Sequence, residues 1–165
     1  MLNTKLQDAL NKQVNAELYS SYLYLSMSSY LTQQNLSGAA TWMRMQAQEE
    51  LEHAMKIFDY IHTRGGCVTL TAIEQPPAEW DSALDVFEKA YEHEQKITQM
   101  INDLVDLAIA EKDHASHNML QWFISEQVEE EESVKSIVEK LRLVANAHGG
   151  RLLIDKELGM RARAK

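Results

Sequence analysis

The fold of this chain is decided by the stretch Gln48-Glu49-Glu50-Leu51-Glu52-His53. Around it, apolar residues recur in steps of three and four, which is the period of a helix that buries one face. Glu50 occupies the position midway between Ala47 and Ala54, where this pattern calls for another apolar residue. The sequence therefore predicts a bundle helix with one carboxylate on its buried face. The apolar members of that face are Met43, Ala47, Ala54, Ile57 and Ile61.

His53 follows Glu50 by three residues, so the two side chains should lie on the same side of the helix about one turn apart. Four-helix bundles use this Glu-x-x-His arrangement to hold a pair of metal ions. Burying the Glu50 charge without a cation would cost several kcal/mol. The pattern therefore predicts a metal ion at this point of the bundle.

The composition narrows the class of protein. A chain of 165 residues with 45% hydrophobic residues suits one compact domain and excludes a disordered chain. A formal net charge of −9 without a Lys/Arg cluster argues against nucleic-acid binding. We expect no membrane association, because no apolar run approaches the length of a membrane span. We expect a cytoplasmic protein, because Cys67 has no disulfide partner in the chain and the N-terminus lacks the apolar core of a signal peptide.

The first part of the chain predicts two antiparallel helices. The first should begin with Thr4 as its N-cap and end near residues 33–35. Ser37 should cap the second, which should end at residues 64–66, where two glycines supply the C-cap. Such a short link makes consecutive helices antiparallel neighbours. The inward stripe of the first helix contains one carboxylate, Glu17, among Leu6, Leu10, Val14, Leu18, Tyr24, Ser28 and Leu31.

Residues 65–81 have no helical period and contain the pair Pro76-Pro77. A helix of about 28 residues is roughly 42 Å long. About 17 extended residues can reach roughly 55 Å. The segment can therefore run back along the whole bundle, which would make the second and third helices parallel.

The second half predicts two more long helices and a short one. The third should begin after residues 81–82 and end near 112–113, with Glu94 the charged member of its inward stripe. The fourth should run from there to Ala147, with Gln127 and Glu130 facing inward. Residues 151–160 should form a fifth helix too small to stand without a partner. The predicted fold is all-α: one domain over 1–165, with a four-helix bundle at about 4–147, a long crossover between helices two and three, and a short C-terminal fifth helix.

The four inward carboxylates should meet in one layer. Their heights, counted from the nearest turns at 1.5 Å per residue, agree within about one helical turn. One buried Glu is common in bundles, whereas four in register are hard to attribute to chance. The predicted layer consists of Glu17, Glu50, Glu94 and Glu130, with His53 and Gln127 beside it.

Hard oxygen donors with one nitrogen donor suit iron or manganese, and two divalent ions balance four carboxylates. Glu50 is placed to bridge the two ions. The first ion would then have Glu17, Glu50 and His53 as ligands. The second would have Glu50, Glu94 and Glu130. With so few nitrogen donors, the site should hold Fe²⁺ loosely enough for iron to leave after oxidation.

The chain resembles the bacterial non-haem ferritins over essentially its full length. The matching residues are Glu17 with Tyr24, the run 50–53, the run 91–95 around Glu94, and the run 125–130. The resemblance implies a ferritin-like fold and a homo-oligomeric shell of 24 subunits. It also implies ferroxidase activity, the oxidation of Fe²⁺ to Fe³⁺ by O₂ or H₂O₂, and storage of ferric oxyhydroxide mineral inside the shell.

The resemblance also implies roles for single residues. Tyr24 would be a one-electron donor or hydrogen-bond partner, and we assign Tyr24, Glu50 and Gln127 as the catalytic residues. Gln127 is in addition a candidate iron ligand. A third iron site would fall on Glu49, Glu126 and Glu129, with Glu130 available to be shared.

Two departures from related di-iron proteins refine this interpretation. The second Glu-x-x-His of bacterioferritin-like sites is here Gln127-x-x-Glu130, which argues against a permanently occupied di-iron centre. Leu51 stands where bacterioferritins carry a haem-binding Met, so we expect no haem. His93, His114, His117 and His148 are expected to be surface or interface residues.

Two alternatives remain open at this point. One is a di-iron oxidase or peroxidase that stores nothing. The other is a metal-free helical interaction bundle, which would require the four layer carboxylates to face solvent.

Overall fold

The computed structural model describes residues 1–145, 147 and 149–161. All regular structure among these residues is helical, which confirms the predicted all-α class. The five helices are α1 (Thr4–Gln33), α2 (Ser37–Thr63), α3 (Ala83–Ala110), α4 (His114–Leu143) and α5 (Gly150–Met160). No helix of the described residues is both long and apolar enough to cross a membrane.

The segment between α2 and α3 is the predicted crossover. It carries no helix or strand over residues 64–82. The Asn11 side chain donates to the carbonyl of Cys67 at 3.0 Å, and the Ser26 hydroxyl donates to the carbonyl of Pro77 at 2.5 Å. The segment therefore runs along α1 in the direction of α1. Because α2 runs back against α1, this path brings the chain to the start of α3 in the direction that makes α2 and α3 parallel.

Two predicted helix caps are wrong. The N-cap of α1 is Asn3 rather than Thr4. Ser37 is the first residue of α2 and does not cap it. The carboxylate of Asp155, in α5, instead accepts a 2.8 Å hydrogen bond from the Ala39 backbone N–H in the first turn of α2. A cap contributed from far along the chain leaves no signal in the local sequence.

The fourth helix is shorter than predicted. It ends at Leu143 instead of Ala147, and the chain turns through residues 144 and 145. Gly149 has φ +88°, a left-handed conformation that glycine adopts at little cost, and α5 starts one residue later. The turn redirects the chain so that α5 leaves the axis of α4.

The fifth helix finds part of its partner within its own chain. Ile154 and Leu158 are buried against the bundle, whereas Leu152 and Leu153 are 65% and 72% exposed. Close approach to α2 is possible because residue 38 is glycine: a Cβ there would lie 1.7 Å from the carbonyl oxygen of Asp155. The predicted need for a partner is therefore met on one face of α5 only.

The core of the bundle is divided into two apolar clusters. Cluster A contains buried residues from 23–31, 39–47, 83–90 and 134–141. Cluster B contains buried residues from 6–14, 57–61, 97–108 and 120–123. On each of the four long helices, α1 to α4, the residues between these two sets include one of the inward carboxylates. These four carboxylates separate the two clusters, and we call them the acidic layer: Glu17, Glu50, Glu94 and Glu130.

Candidate metal centre

The acidic layer lies inside the bundle and not on its surface. Each of its four carboxylates is at most 5% exposed, and one comes from each of α1, α2, α3 and α4. Burial raises the pKa of the Glu50 carboxyl, and the other three carboxyls are close enough for their charges to raise it further. The convergence predicted from the helical periods is present, and the solvent-facing arrangement that a metal-free interaction bundle requires is absent.

The first predicted set of ligands is assembled. One ligand atom each from Glu17, Glu50 and His53 lie within 4.8 Å of one another. His53 Nδ1 is 3.4 Å from Glu50 Oε2. Glu17 Oε2 and Glu50 Oε1 are buried without a hydrogen-bond partner among the described residues. Two unpartnered carboxylate oxygens beside an imidazole nitrogen fit a divalent cation, because burying such oxygens unpaired is costly.

The second side of the layer has protein donors on its carboxylates. The Tyr24 hydroxyl donates to Glu94 Oε1. Gln127 Nε2 donates to Glu94 Oε2 at 3.0 Å and contacts the Glu94 carbonyl at 3.3 Å. Two of the three predicted catalytic residues, Tyr24 and Gln127, therefore contact one carboxylate, which fixes its orientation towards the space shared with Glu50 and Glu130.

Two buried glutamines were not found from the sequence. Gln13 Nε2 donates to Glu17 Oε1 at 2.8 Å, and Gln46 Nε2 donates to Glu130 Oε2 at 2.7 Å. Gln13 and Gln46 are 1% and 0% exposed. The available signal was their spacing, since each precedes the inward carboxylate of its own helix, Glu17 or Glu50, by four residues.

Burial controls the protonation of the layer. Desolvation raises the pKa of Glu17 to about 7 and that of Glu130 to about 8, and it raises the pKa of Glu50 and Glu94 as well. Burial lowers the pKa of His53 to about 4, so its ring is neutral at pH 7 and offers a lone pair to a metal ion. A divalent cation entering the layer would displace protons from the carboxyls.

His93, predicted to be a surface or interface residue, is half-buried where α3 packs against α1. Its ring packs edge-on against Tyr24 at 6.1 Å between centroids and lies 5.8 Å from Tyr19. Its Nε2 is 2.7 Å from the Ser20 hydroxyl, and burial lowers its pKa to about 4. It closes the outer side of the Tyr24 ring.

The other histidines of this prediction differ in exposure. His114 is exposed and His117 is half-buried, as expected for surface residues. His148 lies outside the described residues.

The proposed third-site residues are not equivalent. One ligand atom each from His53, Glu126 and Glu130 lie within 4.8 Å of one another, and His53 Nε2 is 3.9 Å from Glu126 Oε1. Glu49 accepts a 2.6 Å hydrogen bond from Arg161, and Glu129 is exposed. Glu126 is therefore the member whose ligand atom groups with those of His53 and Glu130, and, beside the larger effect of burial, Glu49 is close enough for its charge to raise the pKa of both residues.

The sequence of this chain is similar to those of known proteins. The family model described as a ferritin-like domain matches residues 7–144. A bacterial non-heme ferritin from Bacteroides fragilis is 45% identical over 161 residues, which are 98% of this chain and 100% of the relative. The bacterial non-heme ferritin from Escherichia coli O157:H7 is 43% identical over 158 residues, with 96% of each chain covered.

Solved structures of ferritins are also similar to this chain. An open-pore ferritin from the archaeon Archaeoglobus fulgidus superposes with a TM-score of 0.96 at 54% identity, covering 97% of this chain and 99% of that one. An engineered closed form of the same archaeal ferritin also gives a TM-score of 0.96. The fold described above is therefore shared over nearly the whole chain.

Proposed function

The chain belongs to the ferritin family, and from that premise we propose that it oxidises Fe²⁺ to Fe³⁺ at the acidic layer. The product is stored as a ferric oxyhydroxide mineral inside a shell of 24 copies. One observation carries this proposal: four helices each bring one buried carboxylate to a common layer that contains unpartnered oxygens.

Fe²⁺ is the substrate, and the layer provides two adjacent positions for it. The first position uses Glu17, Glu50 and His53, whose ligand atoms lie within 4.8 Å of one another. The second uses Glu50, Glu94 and Glu130, and it is supported by the charges of Glu94 and Glu130, which add to burial in raising the pKa of Glu50. Glu50 is shared, which holds the two ions at a spacing suited to a common oxidant. Four carboxylates balance the charge of two divalent ions, so the filled layer is close to neutral.

The protein orients the iron ligands, releases protons as Fe²⁺ binds and supplies hard oxygen ligands. Carboxyls whose pKa values burial has raised give up protons as Fe²⁺ binds. Carboxylate oxygens favour Fe³⁺ over Fe²⁺, so the ligand set promotes loss of one electron from each ion to O₂ or H₂O₂. Tyr24, whose hydroxyl contacts Glu94, and Gln127 hold that ligand during the reaction.

Release of Fe³⁺ follows from the ligand set. His53 is the single nitrogen donor of the two positions, so the oxidised ions are not held permanently. Glu126 lies next to both His53 and Glu130 and is placed to receive an ion that leaves the layer. A third site on Glu49, Glu126 and Glu129 remains part of the proposal, with Glu126 its best-placed member.

We propose that the protein works in the cytoplasm and without haem. The chain works without haem, since Leu51 offers no sulfur ligand at the position where bacterioferritins bind haem. The exposed free thiol of Cys67 suits the reducing cytoplasm.

Size and oxidation together test the function. Size-exclusion chromatography should show a species of 24 subunits of 18.9 kDa each. Addition of Fe²⁺ in air should then give rapid oxidation, followed as absorbance of ferric iron, with the product retained inside the shell. A monomer or dimer that oxidises Fe²⁺ would be a non-storing oxidase. An assembly that does not accelerate oxidation would contradict the proposed activity.

A further inference from the structure

Arg161, at the C-terminal end of α5, lies against the face of α2 that leads to the acidic layer. Its guanidinium stands 4.8 Å from the centre of the Trp42 ring. It donates one hydrogen bond to Gln46 Oε1 at 2.5 Å and another to Glu49 Oε2 at 2.6 Å. The side chains of Arg161 and Glu49 are 26% and 17% exposed, so solvent screens this pair only partly.

Gln46 connects this guanidinium to an iron ligand. Its side chain is fully buried, and its Nε2 donates to Glu130 Oε2 at 2.7 Å. A guanidinium can only donate hydrogen bonds, so the Gln46 oxygen must face Arg161 and the amide nitrogen must face Glu130. Arg161 thereby fixes a donor on one oxygen of Glu130 and leaves the other oxygen for a metal ion.

The rest of α5 is held without Arg161. Ile154 and Leu158 are buried, and Asp155 caps α2 through the Ala39 N–H. Gly38 and Gly159 allow the two backbones to touch. Loss of the Arg161 side chain therefore removes its contacts to Gln46 and Glu49 without removing the contacts that dock the helix.

We propose that Arg161 is a positioning residue for the iron site. It orients Glu130 through Gln46, which leaves the second oxygen of that carboxylate available to an ion in the acidic layer. The inference rests on the proposed function, because it assumes that Glu130 binds iron. When Arg161 is removed, the second ion should bind more weakly.

Binding of Co²⁺ tests this consequence without any oxidation. Purified, metal-free assembled protein is titrated with Co²⁺ without oxygen, and uptake is followed by calorimetry and by visible absorbance, which reports coordination. The intact protein should bind two ions per subunit. Arg161→Gln should weaken the second ion about tenfold, the scale expected when a residue that orients a metal ligand is lost.

Matched variants separate the roles of Arg161. Lys156→Gln removes the same charge from an exposed position of α5 and should leave both affinities unchanged. Arg161→Lys keeps the charge beside Glu49 but lacks the planar fork that reaches Gln46 at the same time. It should therefore also weaken the second ion, and it tests the inference even if Arg161→Gln fails to assemble.

A double variant tests the route through Gln46. If Arg161 acts on Glu130 by way of Gln46, Arg161→Gln combined with Gln46→Leu should weaken the second ion no more than Gln46→Leu alone. Additive losses, or an Arg161→Gln variant that binds Co²⁺ like the intact protein, would overturn the inference while leaving the iron site in place. Failure of the intact protein to bind Co²⁺ at all would overturn both.

Discussion

The acidic layer and the two apolar clusters are built on the same four helices at the same depth, yet they contribute opposite terms to stability. In the clusters, burial of Leu, Ile and Phe side chains stabilises the fold by roughly 25 cal/mol for each Å² of apolar surface removed from water. In the layer, the same degree of burial removes carboxylates from water and leaves two of their oxygens without a partner in the part of the chain that the structure describes. The clusters at both ends therefore keep the bundle folded around a layer that is unfavourable until a cation fills it.

Function is therefore determined by the charged positions of the buried stripe and not by its apolar positions. A stripe residue in a cluster can exchange with another apolar residue at modest cost. A stripe residue in the layer cannot, because its charge rather than its volume is what the site uses.

The largest effect should follow from removing the centre of the layer. Glu50→Ala deletes the ligand shared by both iron positions and should slow rapid Fe²⁺ oxidation at least about 100-fold. Because the substitution leaves a cavity in place of a buried charged group, and not in place of apolar packing, the shell should still assemble. Initial rates in air, with size-exclusion chromatography of the same sample, measure both outcomes.

Glu52→Ala is the matched control, since it removes an exposed carboxylate two residues away on the same helix. It should oxidise Fe²⁺ like the unmodified protein. A Glu50→Ala shell that oxidises Fe²⁺ at the normal rate would show that Glu50 does not bridge the two ions.

A substitution in cluster B should lower the stability of the subunit and leave ion binding unchanged, which is the opposite of the effect of Glu50→Ala. Leu10 is fully buried, and Leu10→Ala should destabilise each subunit by about 2–5 kcal/mol. The number of ions bound per subunit should not change. Thermal denaturation at fixed protein concentration, combined with Co²⁺ titration, checks the two parts.

Leu143→Ala serves as its control, because Leu143 is 84% exposed in the subunit. Leu143→Ala should lower the thermal midpoint less than Leu10→Ala does. If Leu10→Ala reduced ion binding as much as stability, the layer and the clusters would not be separable.

The smallest expected effect is a pH dependence of the metal-free protein. Burial raises the pKa of Glu17 to about 7 and of Glu130 to about 8, so the folded state binds more protons than the unfolded state in this range. The stability that these carboxyls contribute when protonated is complete below their unfolded pKa near 4.5 and is lost as the pH rises through the folded values. His53 and His93, whose pKa values burial lowers to about 4, add little change above pH 6.5.

Between pH 6.5 and 8, the metal-free protein should therefore become less stable, while its affinity for Fe²⁺ should rise as protons leave. Glu130→Gln should flatten the first of these trends. Thermal midpoints measured across this interval provide the check. A midpoint that rises with pH in the metal-free protein would contradict the assignment of these carboxyls as buried acids.

The sequence was sufficient for the layer because a charged residue in an apolar stripe is visible within a single helix. Glu17, Glu50, Glu94 and Glu130 each interrupted a pattern of period 3.6, and the lengths of the links set their heights. The crossover was predictable for a similar reason, since the reach of an extended chain depends on residue count alone.

The residues that were missed act between helices. Gln46 contacts a carboxylate of α4, and Arg161 reaches α2 from the end of α5. Asp155 caps a helix that begins more than a hundred residues earlier, and His93 is enclosed by side chains of α1. None of these contacts follows from local periodicity, because each depends on how whole helices are rotated and docked.

The central claim is that four carboxylates from four helices hold two iron ions in one layer. Crystals of the assembled protein soaked in Fe²⁺ without oxygen, with anomalous scattering recorded at the iron edge, test it most directly. Two peaks are predicted, one among Glu17, Glu50 and His53 and one among Glu50, Glu94 and Glu130. A layer without iron, while iron binds elsewhere on the subunit, would contradict the claim.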